Sequence, residues 1–156
     1  MTMLIDQVLQ VFIARCETVA LATGGVFEDR QAVFTKDEAN AINVVLKEAS
    51  CQTLGDNNPA RSILQAVLQV DLQVYTRAET DGAGYTVPSR VLASNIWQSA
   101  HSALMAEPSL GGLAARVRWV RSAWQAQDAD GAAGWASHTY EMRIAMRESD
   151  LSAPLQ

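Results

Sequence analysis

Two cysteines and two histidines are all that this 156-residue chain has of the side chains that most often bind metals or attack electrophiles. Cys16 and Cys51 are too few for a disulfide framework and lack metal-ligand spacing, which predicts two reduced, half-buried thiols in a cytosolic protein. His101 and His138 belong to no Gly-x-Ser-x-Gly elbow, and neither stands at a motif spacing from a cysteine, so nucleophilic catalysis has no signature. Positive charge is short as well: 12 Lys and Arg face 17 Asp and Glu, for a formal charge of -5. With no basic tail or cationic helix to offset it, this argues against general nucleic-acid binding, which comes mainly from Lys and Arg releasing counterions from phosphates.

Other signatures are missing too. Gly24-Gly25, Gly82-Ala83-Gly84 and Gly111-Gly112 make neither a P-loop nor a Gly-x-Gly-x-x-Gly turn, which leaves phosphate cradling unsupported. Glu28 with Asp29, and Asp128 with Asp130, fall in turns, where carboxylates stay solvated rather than tuned for acid catalysis. No cofactor and no metal is expected. The first residues are partly apolar, but Asp6, Gln7 and Gln10 interrupt them and no positive charge precedes them, so neither a signal peptide nor a membrane span is expected.

What is present is an ordinary globular composition, 49% hydrophobic and 19% charged, long enough for one core that buries roughly 70% of the unfolded surface. Leu4, Val8, Val11, Phe12, Ile13, Cys16 and Val19 recur at helical steps and predict an amphipathic helix over about 2–22, stopped by Gly24-Gly25. Val26-Phe27 and Ala32-Val33-Phe34 flank the polar turn Glu28-Asp29-Arg30 and read as a small hairpin. A strand follows over 41–53. The clearest alternation lies between Arg61 and Arg77, where Leu64, Ala66, Leu68, Val70, Leu72 and Val74 share one face of a long strand with a wet opposite face.

Pro88 is placed to open a second helix in its first turn, with a stripe of Ile96, Ala100, Ala103 and Leu104 beside Trp97, running to about Met105. Residues 115–127 and 135–147 form a C-terminal hairpin, and in its last strand His138, Tyr140, Met142, Ile144 and Met146 share a face. The fold class is α+β, a two-layer sandwich with an antiparallel or mixed sheet of five to six strands and two main helices on one face. Residues 1–148 make a single domain, and 149–156 a frayed tail.

Arg116 and Arg118 share one face of their strand, while Val117, Trp119 and Arg121 share the other. Arg and Trp in such a strand suit a protein interface as well as a half-solvated one. Trp97 and Trp119 are assigned to the core, Trp124 and Trp135 to contacts with partners. His101 and His138 read as packed imidazoles.

The order of these pieces resembles a known family. The N-terminal helix followed by Val26-Phe27-Glu28-Asp29-Arg30 and Ala32-Val33-Phe34, the strand at 41–50 and the long strand around 68–74 are similar to those of tail terminator proteins of long-tailed bacteriophages, the lambda-type minor tail protein U family. Pro108-Ser109-Leu110-Gly111-Gly112-Leu113 after the second helix, and the acidic turn, Trp and closing Tyr-Glu-Met strand within 130–146, extend the likeness over most of the chain. A longer linker between Leu113 and Trp135 and the residues after Met146 depart from the pattern.

The resemblance implies a structural protein rather than an enzyme: monomeric or weakly associated when free, it would close into a six-fold ring on the tail tube, stop polymerisation and offer a surface for head joining. Its partners would be copies of itself, the tail tube protein and a head-joining protein. It would reside in the bacterial host cytoplasm during assembly and then in the virion tail. Candidate contacts are Glu28, Asp29, Arg30, Asp56, Asn57, Asn58, Asp81, Tyr85, Arg116, Arg118, Trp124, Asp128, Asp130 and Trp135, and charge reversal at Arg30 should weaken assembly while leaving the fold intact. The alternatives are a head-tail joining protein and a small-ligand module or enzyme with its site near Trp97, His101 and Tyr140.

Overall fold

The computed structural model describes residues 2–55, 58, 61–114, 116–127 and 132–155. Helix α1, Leu4–Glu17, buries Leu4, Val8, Leu9, Phe12, Ile13 and Cys16 on one stripe. A helix this short is marginal alone, and burial at about 1.5–3 kcal/mol for each large side chain stabilises it. It ends a turn earlier than its apolar pattern because Thr18 turns both its N–H and its hydroxyl back onto the Arg15 carbonyl.

Strand β1, Val26–Glu28, pairs with β2, Ala41–Leu54, in parallel, with Val26 beside Ile42 and Glu28 beside Val44. The expected hairpin with Ala32-Val33-Phe34 does not form. A parallel pair needs a connection of about a dozen residues, and 29–40 supply it, including the short 3-10 turn Lys36–Glu38. Gly24 allows that return, since a Cβ there would overlap the carbonyl oxygens of Glu38 and Ala39. Phe34 is thereby freed to bury itself against Tyr75, with ring centroids 5.3 Å apart, and against Phe27 at 5.5 Å.

Strand β3, Ile63–Arg77, runs antiparallel to β2 from Ala41 beside Tyr75 to Leu54 beside Ile63, with a bulge at Lys47. A two-strand ribbon follows, β4, Glu79–Thr80, and β5, Thr86–Val87. Helix α2, Ser89–Met105, comes next, with Pro88 as its N-cap rather than inside its first turn. Its buried face alternates the small Ala93 and Ala100 with Ile96 and Leu104, and the alanines let the helix sit close to the sheet.

The last two strands, β6, Arg116–Ala126, and β7, Ala133–Arg147, form the expected antiparallel hairpin, and β7 also pairs with β3. The result is a five-stranded mixed sheet in the order β1-β2-β3-β7-β6 with both helices packed on one face. Ile42, Val44, Leu68, Val70, Leu72, Tyr140, Met142 and Ile144 fill the interface beneath the helices. The residues expected to fray are tied back to the body: Leu4 N–H donates to the Leu151 carbonyl, Leu155 N–H to that of Ala145, and the Gln7 amide to that of Ser152.

Candidate functional site

Three surfaces carry the polar and apolar groups that local packing does not use up. The first is the outer edge of β2. β1 covers β2 only as far as Val44, and from Leu46 to Leu54 every β2 residue is exposed. Among the described residues no strand pairs with that side of β2, so its backbone groups form an open edge. Leu46 and Leu54 are among its exposed large apolar side chains.

The second surface is the opposite edge, β6. Arg116, Arg118 and Arg121 are exposed along it, with Trp119 and Val120 44% and 47% exposed. A bulge at Val120 resets the alternation. Arg121 was expected on the Trp119 face, but the bulge carries it to the Arg118 face, where its Nε–H donates to Thr139 Oγ1 at 3.2 Å. Arg118 reaches Glu141 at 3.4 Å.

Two of the tryptophan assignments exchange, while Trp97 packs against the main core as expected. α2 lies over β3 and β7 and meets β6 only at its margin, so Trp119 extends past the core instead of into it. Trp124, expected at an interface, packs against the main core. Gly134 makes room for it, since a Cβ there would strike the Trp124 ring and the Gln125 carbonyl. Trp135 is half-buried on the outer sheet face, where it and Gln125 are shared by two depressions of about 200 and 250 Å³. In the first of these lies Asp71, a buried carboxylate that accepts hydrogen bonds from Thr139 at 2.6 Å and Ser137 at 3.2 Å, with Lys47 at 3.9 Å.

The third surface is a polar cluster where α2 meets β6 and β7. The Tyr140 hydroxyl accepts the Trp97 indole N–H at 2.9 Å and lies 2.9 Å from His101 Nδ1. The Trp97 ring stacks on His138 at 4.4 Å between centroids. Ser122 Oγ lies 2.5 Å from His138 Nδ1 and accepts the Trp119 indole N–H at 3.2 Å, while His138 Nε2 is buried without a partner. Burial holds the His138 pKa down at about 4, helped by His101 and opposed by Asp71. Burial raises the Tyr140 phenol above its ordinary value.

The alternation had already put His138 and Tyr140 on one face. The partnership of Ser122 with His138 had no signal in the sequence, because it depends on the β6–β7 register that places them opposite each other. A serine hydrogen-bonded to a neutral imidazole is the beginning of a nucleophile–base pair. Among the described residues, no carboxylate is hydrogen-bonded to either nitrogen of that imidazole.

The remaining expected contacts divide. Glu28, at the end of β1, receives a hydrogen bond from Gln10, and Asp29 adopts φ 46° just beyond it. Arg30 is not a loose contact residue. It makes two hydrogen bonds to Glu38, at 2.7 and 2.9 Å, and its guanidinium lies over the Phe27 and Phe34 rings at 4.6 and 4.5 Å. Its charge reversal would therefore disturb the 29–40 connection, contrary to the expectation of an intact fold. Glu38 answers to the same pairing, its pKa lowered to about 2 by hydrogen bonds from Arg30 and the Thr35 backbone.

The Asn58 carbonyl accepts the N–H groups of Arg61 and Ser62. Asp81 caps its own turn by accepting the N–H groups of Ala83 and Tyr85, which leaves Tyr85 68% exposed at a loop far along the chain from the other candidates. Asp56, Asn57, Asp128 and Asp130 lie outside the described residues. The cysteines differ from the expected half-buried pair: Cys16 is buried, with its pKa pushed up to about 12 mainly by desolvation, and Cys51 is exposed on the β2 edge.

Among the described residues, no helix is long and apolar enough to cross a membrane, and no three His, Cys, Asp or Glu side chains gather as a metal site. Fold and surfaces together define an α+β protein whose mixed sheet ends in two unlike edges. No protein-family model matches the chain, and no curated protein matches it.

Proposed function

We propose that this chain is a structural subunit of phage or prophage tail assembly, a tail terminator that closes into a ring on the tail tube. The observation that carries the reading is the unlikeness of the two sheet edges. β6 presents Arg116, Arg118 and Arg121 and no carboxylate, whereas β1, its connection and the free part of β2 carry Glu28, Asp29, Asp37, Glu38 and Glu48 against Arg30, Lys36 and Lys47. Unlike edges favour head-to-tail association, which gives a ring where the rotation closes. The order of elements resembles that family, and a net charge of -5 suits a ring through which DNA slides without being gripped. The test is genetic: removal of the gene should give tails of abnormal length, and normal tails without the protein would end the reading. Recovery of the protein on filled heads rather than on free tails would assign it to head joining instead.

The Ser122–His138 pair beside Trp97 and Trp119 favours a second reading, a small-ligand or hydrolytic site at the margin of α2. Turnover of an activated ester that disappears in Ser122→Ala would support it. No turnover, together with no thermal shift across metabolites and nucleotides, would remove it.

A further inference from the structure

We infer that the face of the β6–β7 hairpin turned away from the helices is a docking surface for a short acidic segment of a partner protein, held by Arg116, Arg118 and Arg143. This surface stands apart from the ring reading above and does not depend on it. Val117 and Met142 belong to the core beneath the helices, which puts Arg116, Arg118, Glu141 and Arg143 on the opposite face. There the register creates a pairing that costs stability: Arg116 lies directly opposite Arg143, and like charges so placed destabilise a sheet. In the neighbouring row Arg118 lies opposite Glu141, and that one carboxylate serves two arginines, its Oε1 3.4 Å from Arg118 Nη2 and 3.4 Å from Arg143 Nε. Among the described residues no carboxylate pairs with Arg116. Three guanidiniums against one carboxylate therefore line a shallow depression of about 230 Å³. Arg118 and Arg143 are 60% and 59% exposed and Glu141 only 17%, so an incoming anion meets the guanidiniums first.

The surroundings decide what that anion is. The Val117 N–H is taken by the Pro108 carbonyl, so an occupant is gripped by side chains on the face and is not added as a strand at the edge. Guanidiniums match carboxylates through paired N–H donors, and two carboxylates would balance the excess charge. Arg116 and Arg118 stand two residues apart on one strand, about 7 Å, the spacing of alternate side chains on an extended peptide. A nucleic-acid backbone needs a longer track of cations. Here the row of Arg118 and Glu141 continues through Gln69 to Glu48, and the row of Arg121 and Thr139 continues to Asp71. A long polyanion crossing the sheet would meet those carboxylates, whereas a segment with two acidic residues stops short of them. Neutralising Arg116 and Arg143 also relieves their repulsion, which couples binding to stability.

The experiment measures binding of fluorescein-labelled hexaglutamate by anisotropy at low ionic strength, beside hexathymidylate carrying the same label. The chain as a whole carries -5, so general attraction cannot hold either probe. Hexaglutamate should bind more tightly than hexathymidylate, and Arg116→Gln and Arg143→Gln should each weaken it about tenfold. Arg90→Gln, the same charge change on α2, should leave it unchanged. Absence of hexaglutamate binding, tighter binding of hexathymidylate, or equal weakening by Arg90→Gln would each overturn the assignment. Urea unfolding gives a second readout. Without peptide, Arg116→Gln should raise the midpoint at low ionic strength, because a like-charge pair is removed, and it should forgo the stabilisation that peptide gives the native chain. A lowered midpoint would make Arg116 a structural residue and end the proposal. Self-association that Arg116→Gln abolishes and hexaglutamate leaves untouched would give the face to a second copy instead.

Discussion

Lowering the pH from about 7 to about 5 is expected to weaken the fold through His138, and the size of the effect follows from its surroundings. The ring is 5% exposed, stacked on Trp97, bonded to Ser122 at Nδ1 and unpartnered at Nε2. The titratable groups that act on it are His101 on α2 and Asp71 on β3, and desolvation outweighs both, lowering the pKa from 6.5 to about 4. The unfolded chain binds the proton more tightly, so stability rises with pH across this window. The contribution is complete above 6.5 and is lost progressively as the pH falls toward about 4. For those two values the loss by about pH 5 is about 2 kcal/mol, and relaxation of the site around the protonated ring offsets part of the desolvation cost, which leaves about 1 kcal/mol. Urea unfolding of the native chain and of His138→Phe at matched pH isolates the term, because the other carboxylates and bases are common to both. The native chain should lose about 1 kcal/mol more than the variant between about pH 7 and about pH 5. Parallel curves would refute the placement of a neutral, desolvated imidazole at this position.

Three further outcomes are expected. Tyr140→Phe strands the Trp97 indole N–H and should cost about 1–3 kcal/mol, read as a lower denaturant midpoint with an unchanged slope; an unchanged midpoint would mean that the hydroxyl is not the acceptor. Arg30→Glu should loosen residues 29–40, so that trypsin cuts at Lys36 faster than in the native protein. Because the Glu38 pKa is lowered from 4.5 to about 2, the same pairing in the native chain is fully present above 4.5 and lost as the pH falls through about 2. In native protein, Cys51 should react promptly with a thiol reagent and Cys16 only on unfolding, as its burial and raised pKa require; two fast thiols would contradict the packing of α1.

The periodicities of the chain determined a good deal of this protein by themselves. The alternation from Leu64 to Val74 and from His138 to Met146 defined two long strands and their buried faces, and the steps from Leu4 to Cys16 defined the buried stripe of α1. These features are local, because a side chain's face follows from its own backbone repeat. Where local pattern ran short, tertiary contacts decided. Val26-Phe27-Glu28 joined β2 in parallel because Gly24 allows the 29–40 connection to return over it, and Phe34 found a better burial on Tyr75 than in a hairpin. Trp124 moved to the core face because a one-residue bulge before it resets the alternation, which no periodicity announces, and Trp119 kept its face but lies exposed because α2 meets β6 only at its margin. The candidate surfaces are products of register: Ser122 beside His138, Asp71 beneath Thr139, and Leu46 and Trp119 at the two ends of one row. Sequence spacing fixes a residue's side of its own strand, but its neighbours across the sheet are chosen only when the strands align.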